Sequence, residues 1–97
     1  TIEHIFPQNP GDEWSGKMGR GRDTVKNNVH RLGNLVLLPP NLNSEAARKA
    51  FKDKQKIYRS NYLKMHDEIL SQDDWAKEQI EARDSAMWDW IINTWSD

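Results

Sequence analysis

Apolar residues alternate over short distances at the start of the chain and recur at helical spacings towards its end. Ile2–Ile5 is short, partly β-branched and stopped by Pro7, so it predicts a brief strand. Asn34–Leu38 is an apolar run of strand length that ends at Pro39. Six Pro and Gly residues between positions 7 and 21 indicate a long loop, and long loops in compact domains are often functional.

Two helices are predicted in the middle of the chain. The first is short, capped by Asp23, and ends near Arg31. The second is predicted over residues 45–60, with Asn43 or Ser44 as its cap. One face of the second helix is apolar and is predicted to be buried, at Ala47, Ala50, Phe51 and Tyr58.

Two further helices are predicted in the C-terminal part. A short one extends from about residue 62 to 70, and a long one from about 73 to 95, opened by a capping box of Ser71 and Asp74. Apolar residues recur along the long helix at spacings of 7, 4 and 4, which predicts a stripe that packs into the core. The stripe consists of Ile80, Met87, Ile91 and Trp95.

These elements predict an α+β fold that is mostly helical. A short two-stranded antiparallel hairpin and the helix after it would form a core over about residues 1–58, with additional C-terminal helices over about 59–97. A length of 97 residues corresponds to a single domain. Because the chain begins with Thr, we expect it to be part of a larger protein.

Composition narrows the classes of function. The chain has no Cys, which excludes disulfides and cysteine zinc sites and fits a reducing, cytoplasmic location. No apolar run approaches the length of a membrane span, so we expect no membrane association.

The formal net charge of −1 conceals an uneven distribution. Residues 16–59 carry eleven Lys and Arg against three acids, whereas residues 60–97 carry three against nine. A basic middle can be a phosphate-binding face, although solvated helix faces give the same pattern. The candidate phosphate contacts are Lys49, Lys52, Lys54 and Lys56, together with Arg31.

Polar residues flank both predicted strands, and a hairpin would bring them together. Glu3 and His4 lie in the first strand, and Asn34 begins the second. Asn43 follows shortly after. Carboxylate and amide oxygens suit Mg²⁺ or Mn²⁺, a His can take a proton from water, and together they suit phosphodiester hydrolysis. Because neighbours on a strand point to opposite faces, Glu3 and His4 share one site only if the strand ends or twists there.

The segments TIEHIFPQNP, HRLGNLVLLPPNLNS and FKDKQKIY resemble the HNH, or ββα-metal, nucleases. They are most similar to the domain at the C-terminus of GmrSD-type, modification-dependent restriction enzymes. The resemblance covers nearly the whole chain, including Trp75, Ile80 and Arg83. It implies a DNA endonuclease with one divalent metal, in a restriction or phage-defence protein where a linked domain senses modified DNA or hydrolyses nucleotide.

Matched by position, the resemblance implies a role for each polar residue. His4 corresponds to the general base and Glu3 to the acidic metal ligand beside it. Asn43 corresponds to the metal ligand that opens the helix, with Asn41 as a competing candidate. Asn34 corresponds to the residue that holds the loop and orients the base. Many HNH proteins have a further ligand inside the helix, where this chain has Ala46, Ala47 and Ala50.

Several alternatives stay open on the residues alone. His30 and Gln8 are candidates for supporting the site, or for packing only. Trp14 is expected to pin the long loop to the core. Asn34 and Asn43 could serve only as a turn residue and a helix cap. The alternative functions are a non-catalytic nucleic-acid-binding module on an HNH-like scaffold and a protein-interaction module.

Overall fold

Short strands and helices follow one another in the predicted order, except that two helices stand where one was predicted over residues 45–60. The computed structural model describes residues 1–19, 24–47, 49–60 and 67–95. The strands and helices are β1 Ile2–His4, α1 Thr24–Asn28, β2 Leu35–Leu37, α2 Pro40–Ala46, α3 Phe51–Ser60, α4 Asp67–Leu70 and α5 Lys77–Trp95. Single 3₁₀ turns lie at Asp12–Trp14 and Leu32–Asn34. This confirms a mostly helical α+β fold built around a two-stranded hairpin.

The hairpin is antiparallel and pairs Glu3 with Val36 and His4 with Leu35. The pleat alternates, so Val36 is buried in the core while Leu37 is exposed. On β1 the inward position is occupied by Glu3, a carboxylate, where an apolar residue would normally be expected. The buried carboxylate of Glu3 determines which side chains surround the site described below.

Trp14 anchors the long loop, as predicted. Its side chain is almost completely buried, and its ring meets Phe6 edge-to-face with centroids 5.0 Å apart. The indole Nε1–H donates to the carbonyl of Lys49 over 3.0 Å. The loop that follows β1 is therefore tied both to the core and to the segment before α3.

The prediction of one helix over residues 45–60 was wrong. The helix starts earlier, at Pro40, where a proline is favoured because its missing N–H needs no partner. It ends at Ala46, and the next residue, Ala47, has a φ of +22°, outside the right-handed helical range. A separate helix, α3, then begins at Phe51. Asn43 and Ser44 therefore lie inside α2 and do not cap it.

The predicted start of the last helix was also wrong, by four residues. The Ser71 hydroxyl donates to the carbonyl of Glu68 and so closes α4, not α5. The N-terminal turn of α5 is capped instead by Gln79, whose side-chain oxygen accepts from the Ala76 N–H. The predicted Asp23 cap and the first residues of the predicted 62–70 helix lie outside the described residues.

Only part of the predicted stripe on α5 is core. Ile80 is fully buried and Met87 and Ile91 are half-buried, but Trp95 is 76% exposed. Trp88 and Trp90 are exposed as well. The stripe prediction failed because periodicity specifies a face and not how much of that face meets another element. No helix in the described part of the chain is long and apolar enough to cross a membrane.

The first half of α5 packs directly on the turn that leads into β2. A Cβ on Gly33 would lie 2.3 Å from the carbonyl oxygen of Ile80, so only glycine allows this close approach. Arg83 donates to the carbonyls of Gly33 and Leu35 over 2.9 and 2.8 Å. Asp84 accepts from the Gly33 N–H over 2.8 Å. These contacts fix the start of β2, opposite the site residues of β1.

Candidate active site

Glu3 projects into the core and is held there by two residues of α3. Its Oε2 lies 3.3 Å from the Lys54 ammonium and 3.3 Å from the Tyr58 hydroxyl, and the residue is only 3% exposed. Burial raises the pKa of Glu3, while Lys54 and Tyr58 lower it in part. A negative charge on β1 is thus matched by a positive charge inside the protein.

The prediction that all the basic residues of this helix lie on one solvated or phosphate-facing surface was wrong for Lys54. Its side chain is fully buried, and its Nζ also donates to the carbonyl of His4 over 2.9 Å. Burial lowers the pKa of Lys54, and Glu3 opposes that shift. The signal was present in the spacing, since Lys54 lies three residues after Phe51 and four before Tyr58, on the face predicted to be buried.

His4 is the last residue of β1, and its ring is half-buried. Its Nε2 lies 3.0 Å from Nδ1 of His30, with the two rings nearly perpendicular. The amide nitrogen of Gln8 lies 3.2 Å from His4 Nδ1. The pKa of His4 is lowered, first by burial and then by the charges of His30 and Lys54. These influences favour the neutral ring, which can accept a proton.

Asn34 is completely buried and uses its whole amide group in hydrogen bonds. Its oxygen accepts from the Phe6 N–H over 2.8 Å and from the Trp75 indole over 3.0 Å. Its nitrogen donates to the carbonyls of Phe6 and Val29 over 3.0 and 2.8 Å. Asn34 therefore ties the residues that follow β1 to Val29, the residue that follows α1.

Asn43 lies on α2 beside the first strand. Its amide nitrogen donates to the carbonyl of Ile2 over 2.8 Å. The amide oxygen is the atom of this side chain that could bind a metal ion. Asn43 lines an open pocket of about 340 Å³ together with Glu3, His4 and Gln8. Glu3 and His4 both border this pocket, but the Glu3 carboxylate is directed into the core towards Lys54 and Tyr58, so a shared site for the two side chains stays a prediction.

Comparison of the chain with models of known protein families identifies its family. Residues 1–90 match the family model described as "GmrSD restriction endonucleases, C-terminal domain". The chain belongs to this family. No curated protein and no solved structure matches the chain.

The predicted basic contacts of this GmrSD C-terminal domain divide into two groups. Lys52 and Lys56 are well exposed on α3, and Lys49 is exposed just before it. Arg31 is engaged elsewhere, because its guanidinium lies 3.2 Å from Asp84 and also donates to Asn28. Lys52 and Lys56 each have an exposed carboxylate partner, Asp73 at 3.8 Å and Asp53 at 3.9 Å, whereas Arg31 joins α1 to α5.

The oxygen donors of this GmrSD C-terminal domain are of the type that Mg²⁺ and Mn²⁺ prefer. They come from Glu3, through the carboxylate, and from Asn43, through the amide oxygen. Within residues 1–19, 24–47, 49–60 and 67–95, no group of three or more His, Cys, Asp or Glu could hold a metal ion. The Glu3 carboxylate is buried against Lys54 and Tyr58, so its use as a metal ligand stays a prediction.

Proposed function

We propose that this domain is a metal-dependent DNA endonuclease of the HNH type, with His4 as its general base. The observation that carries the proposal is the position of His4. His4 is the last residue of β1, and its ring contacts His30 and Gln8. The residue borders the pocket that Glu3 and Asn43 also line. Membership of a restriction endonuclease family supports phosphodiester cleavage as the reaction. In the larger protein, a covalently linked sensor or nucleotide-hydrolysing domain would direct this nuclease to DNA during phage defence.

In the proposed reaction, His4 removes a proton from a water molecule as its oxygen attacks phosphorus. The bond from phosphorus to the 3′-oxygen breaks, leaving a 5′-phosphate and a 3′-hydroxyl once that oxygen takes up a proton. Lys54 holds the backbone carbonyl of His4, so the ring is attached to a fixed strand end. The lowered pKa of His4 keeps it in the accepting form at neutral pH.

The proposed metal ligands are Glu3 and Asn43. Asn43 is already oriented by its hydrogen bond to Ile2, which supports the use of its free oxygen. When bound, a divalent cation stabilises negative charge on the phosphate and on the departing oxygen. Lys49, Lys52 and Lys56 are proposed to contact the DNA backbone, where they position the duplex without reading its sequence.

A non-catalytic nucleic-acid-binding module is the second candidate. It is favoured by one observation, namely that Lys54 already neutralises Glu3 inside the protein. In this case the hairpin would be a structural support for the basic helix, and no cation would be needed. The two candidates differ in whether His4 and a metal are required for any change in the DNA.

A plasmid-nicking assay separates these candidates. Supercoiled plasmid is incubated with wild type, His4→Ala or the surface control Asn27→Ala, in Mg²⁺, Mn²⁺ or EDTA. The proposal expects nicking by wild type and Asn27→Ala with either metal, and none by His4→Ala or in EDTA. The DNA affinity of His4→Ala should stay close to that of wild type. Binding without metal-dependent nicking by wild type would favour the non-catalytic module.

A further inference from the structure

We propose that Ile2 and Leu37 form an apolar surface that packs against the deoxyribose sugars next to the cleaved phosphate and makes the domain select DNA over RNA. This inference rests on the proposed function, because it takes His4 as the place where the phosphate is cleaved. It goes further by naming two residues that contact the substrate and the part of the nucleotide that they distinguish.

Ile2 and Leu37 lie directly opposite each other in the hairpin. One position further along, the Leu38 N–H donates to the carbonyl of Thr1 over 2.9 Å. Hydrogen-bonded and non-hydrogen-bonded pairs alternate in an antiparallel ladder, so Ile2 and Leu37 form a non-hydrogen-bonded pair, in which opposing side chains lie closest together. The two side chains therefore form one continuous apolar surface.

Burial in the core does not account for the apolar character of this pair. Ile2 is 56% exposed and Leu37 is 52% exposed. The next residues along the strands, Glu3 and Val36, point to the opposite face and are buried. Outward positions on a hairpin with one buried face are normally polar, so two apolar side chains placed opposite each other indicate a contact surface.

This surface lies on the same face of the hairpin as His4. Residues two apart on a strand point to the same side, which places Ile2 about 7 Å from His4 along β1. Ile2 also lines the pocket that His4 and Asn43 border. A protein segment packed on the pair would lie beside His4, where the phosphate has to enter. A nucleic acid strand suits both features, with its phosphate at His4 and a neighbouring sugar against Ile2 and Leu37.

The sugar is the part of a nucleotide that best matches an apolar surface, since the phosphate is charged and the base edges are polar. The C2′ atom of deoxyribose carries only hydrogen, whereas ribose has a 2′-hydroxyl that donates and accepts. Ile and Leu side chains offer that hydroxyl no partner. Because burying an unpaired hydroxyl is unfavourable, RNA should bind about tenfold more weakly than DNA.

Fluorescence anisotropy with labelled duplexes of one sequence tests the inference, with the 97-residue chain in EDTA so that no strand is cut. The duplexes are DNA, RNA and 2′-fluoro RNA, which keeps the A-form shape of RNA without the hydroxyl. The variant Ile2→Thr with Leu37→Thr retains strand-forming residues and adds a hydroxyl at each position. Ile92→Thr on α5 is the matched control, because Ile92 is 58% exposed.

Wild type and Ile92→Thr should bind DNA about tenfold more tightly than RNA, with 2′-fluoro RNA closer to DNA. In the double variant this preference should fall to about threefold or less, because DNA loses an apolar contact and the ribose hydroxyl gains partners. Melting temperatures should be similar, since Thr pairs are favourable across strands. Each single change is measured as well, in case the double variant does not fold.

Three results overturn the inference. One is an unchanged preference for DNA in the double variant, and another is an equal loss of affinity for all three duplexes, which would mean contact without selection of the sugar. The third is equal affinity of wild type for RNA and 2′-fluoro RNA, which would show that helix shape is selected instead. The proposed function fails separately, if wild type retains the preference for DNA but nicks no better than His4→Ala.

Discussion

The ammonium of Lys54 and the carboxylate of Glu3 lie 3.3 Å apart inside the core, where their side chains are 0% and 4% exposed. The pair joins the inward face of β1 to the buried face of α3. Tyr58 donates to the same carboxylate oxygen, so three polar groups share one buried space. Burial also holds the pKa of Tyr58 well above its usual range, so it remains a donor.

Replacing Lys54 with Met should destabilise the fold by about 3–5 kcal/mol at pH 7, because it leaves a buried carboxylate without its cation. Burial raises the pKa of Glu3, and the loss of Lys54 raises it further. The cost should therefore grow as pH rises through that raised pKa and shrink below pH 4.5, where Glu3 is protonated in both states. Urea unfolding at several pH values measures it.

The double variant Glu3→Gln with Lys54→Met is the control for this prediction. Its unfolding free energy should be closer to that of wild type than the value for Lys54→Met alone, since no unpaired charge remains. Simple additivity of the two single changes would show that the ion pair contributes little. The single variant Glu3→Gln completes the cycle.

His4 should titrate below pH 6.5 in the metal-free protein. Burial is the first cause of its lowered pKa, and the positive charge of His30 is the second. His30→Ala removes the second cause, so the midpoint should move up towards 6.5. NMR titration of the ring protons measures both midpoints, and a wild-type midpoint at or above 6.5 contradicts the prediction.

The same shift has a consequence for stability. A folded-state pKa below the unfolded value means that the unfolded chain binds a proton first as pH falls. The contribution of His4 should therefore reduce stability as pH drops below 6.5, and His30→Ala should weaken that dependence.

Gly33→Ala should destabilise the fold by about 3 kcal/mol, because its Cβ would meet three backbone atoms of α5 at 2.3 to 2.8 Å. Gly16→Ala is the matched control. Gly16 has φ +79°, and nothing lies within 4 Å of an added Cβ. Only the unfavourable backbone conformation should then lower the free energy of unfolding, by about 1 kcal/mol. Thermal unfolding compares them, and equal losses would mean that α5 moves aside easily.

Replacing Lys49, Lys52 and Lys56 with Gln should weaken DNA binding to a similar extent for every sequence. The dependence of log affinity on log salt should become less steep by up to about 0.9 for each phosphate that the variant no longer neutralises. Lys77→Gln is the control, since Lys77 is also exposed and ion-paired but lies on α5, away from α3. Fluorescence anisotropy with labelled duplexes at several salt concentrations measures both quantities. Unchanged values would show that these lysines form a solvated surface and do not contact DNA.

Local pattern predicted the elements better than it predicted their contacts. The hairpin follows from two short apolar runs bounded by proline, and the anchor role of Trp14 follows from one large side chain in a loop. The break at Ala47 carries no Gly or Pro, so nothing in the local sequence indicates it. Trp95 shows the converse case, in which correct periodicity extends beyond the surface that covers it.

The sequence predicted which polar residues lie near one another better than it predicted the residues that they contact. Spacing and resemblance predicted Glu3, His4, Asn34 and Asn43 as site residues, and the structure places Glu3, His4 and Asn43 at one pocket. The inward position of Lys54 could be read from its helical spacing to Phe51 and Tyr58, but its charge alone predicts solvent exposure. The sequence does not reveal that His30 contacts His4, since the two residues are 26 positions apart and only the closed hairpin brings them together.

The arrangement of the five tryptophans has a spectroscopic consequence. The ring centre of Trp14 is 5.7 Å from the Lys54 ammonium, and the Trp75 indole donates to Asn34, so both buried rings report on the frame of the site. Trp88, Trp90 and Trp95 face solvent on α5. A soluble quencher such as iodide should suppress the red-shifted emission of the exposed three. The blue-shifted remainder then becomes an intrinsic optical signal for the hairpin and Asn34.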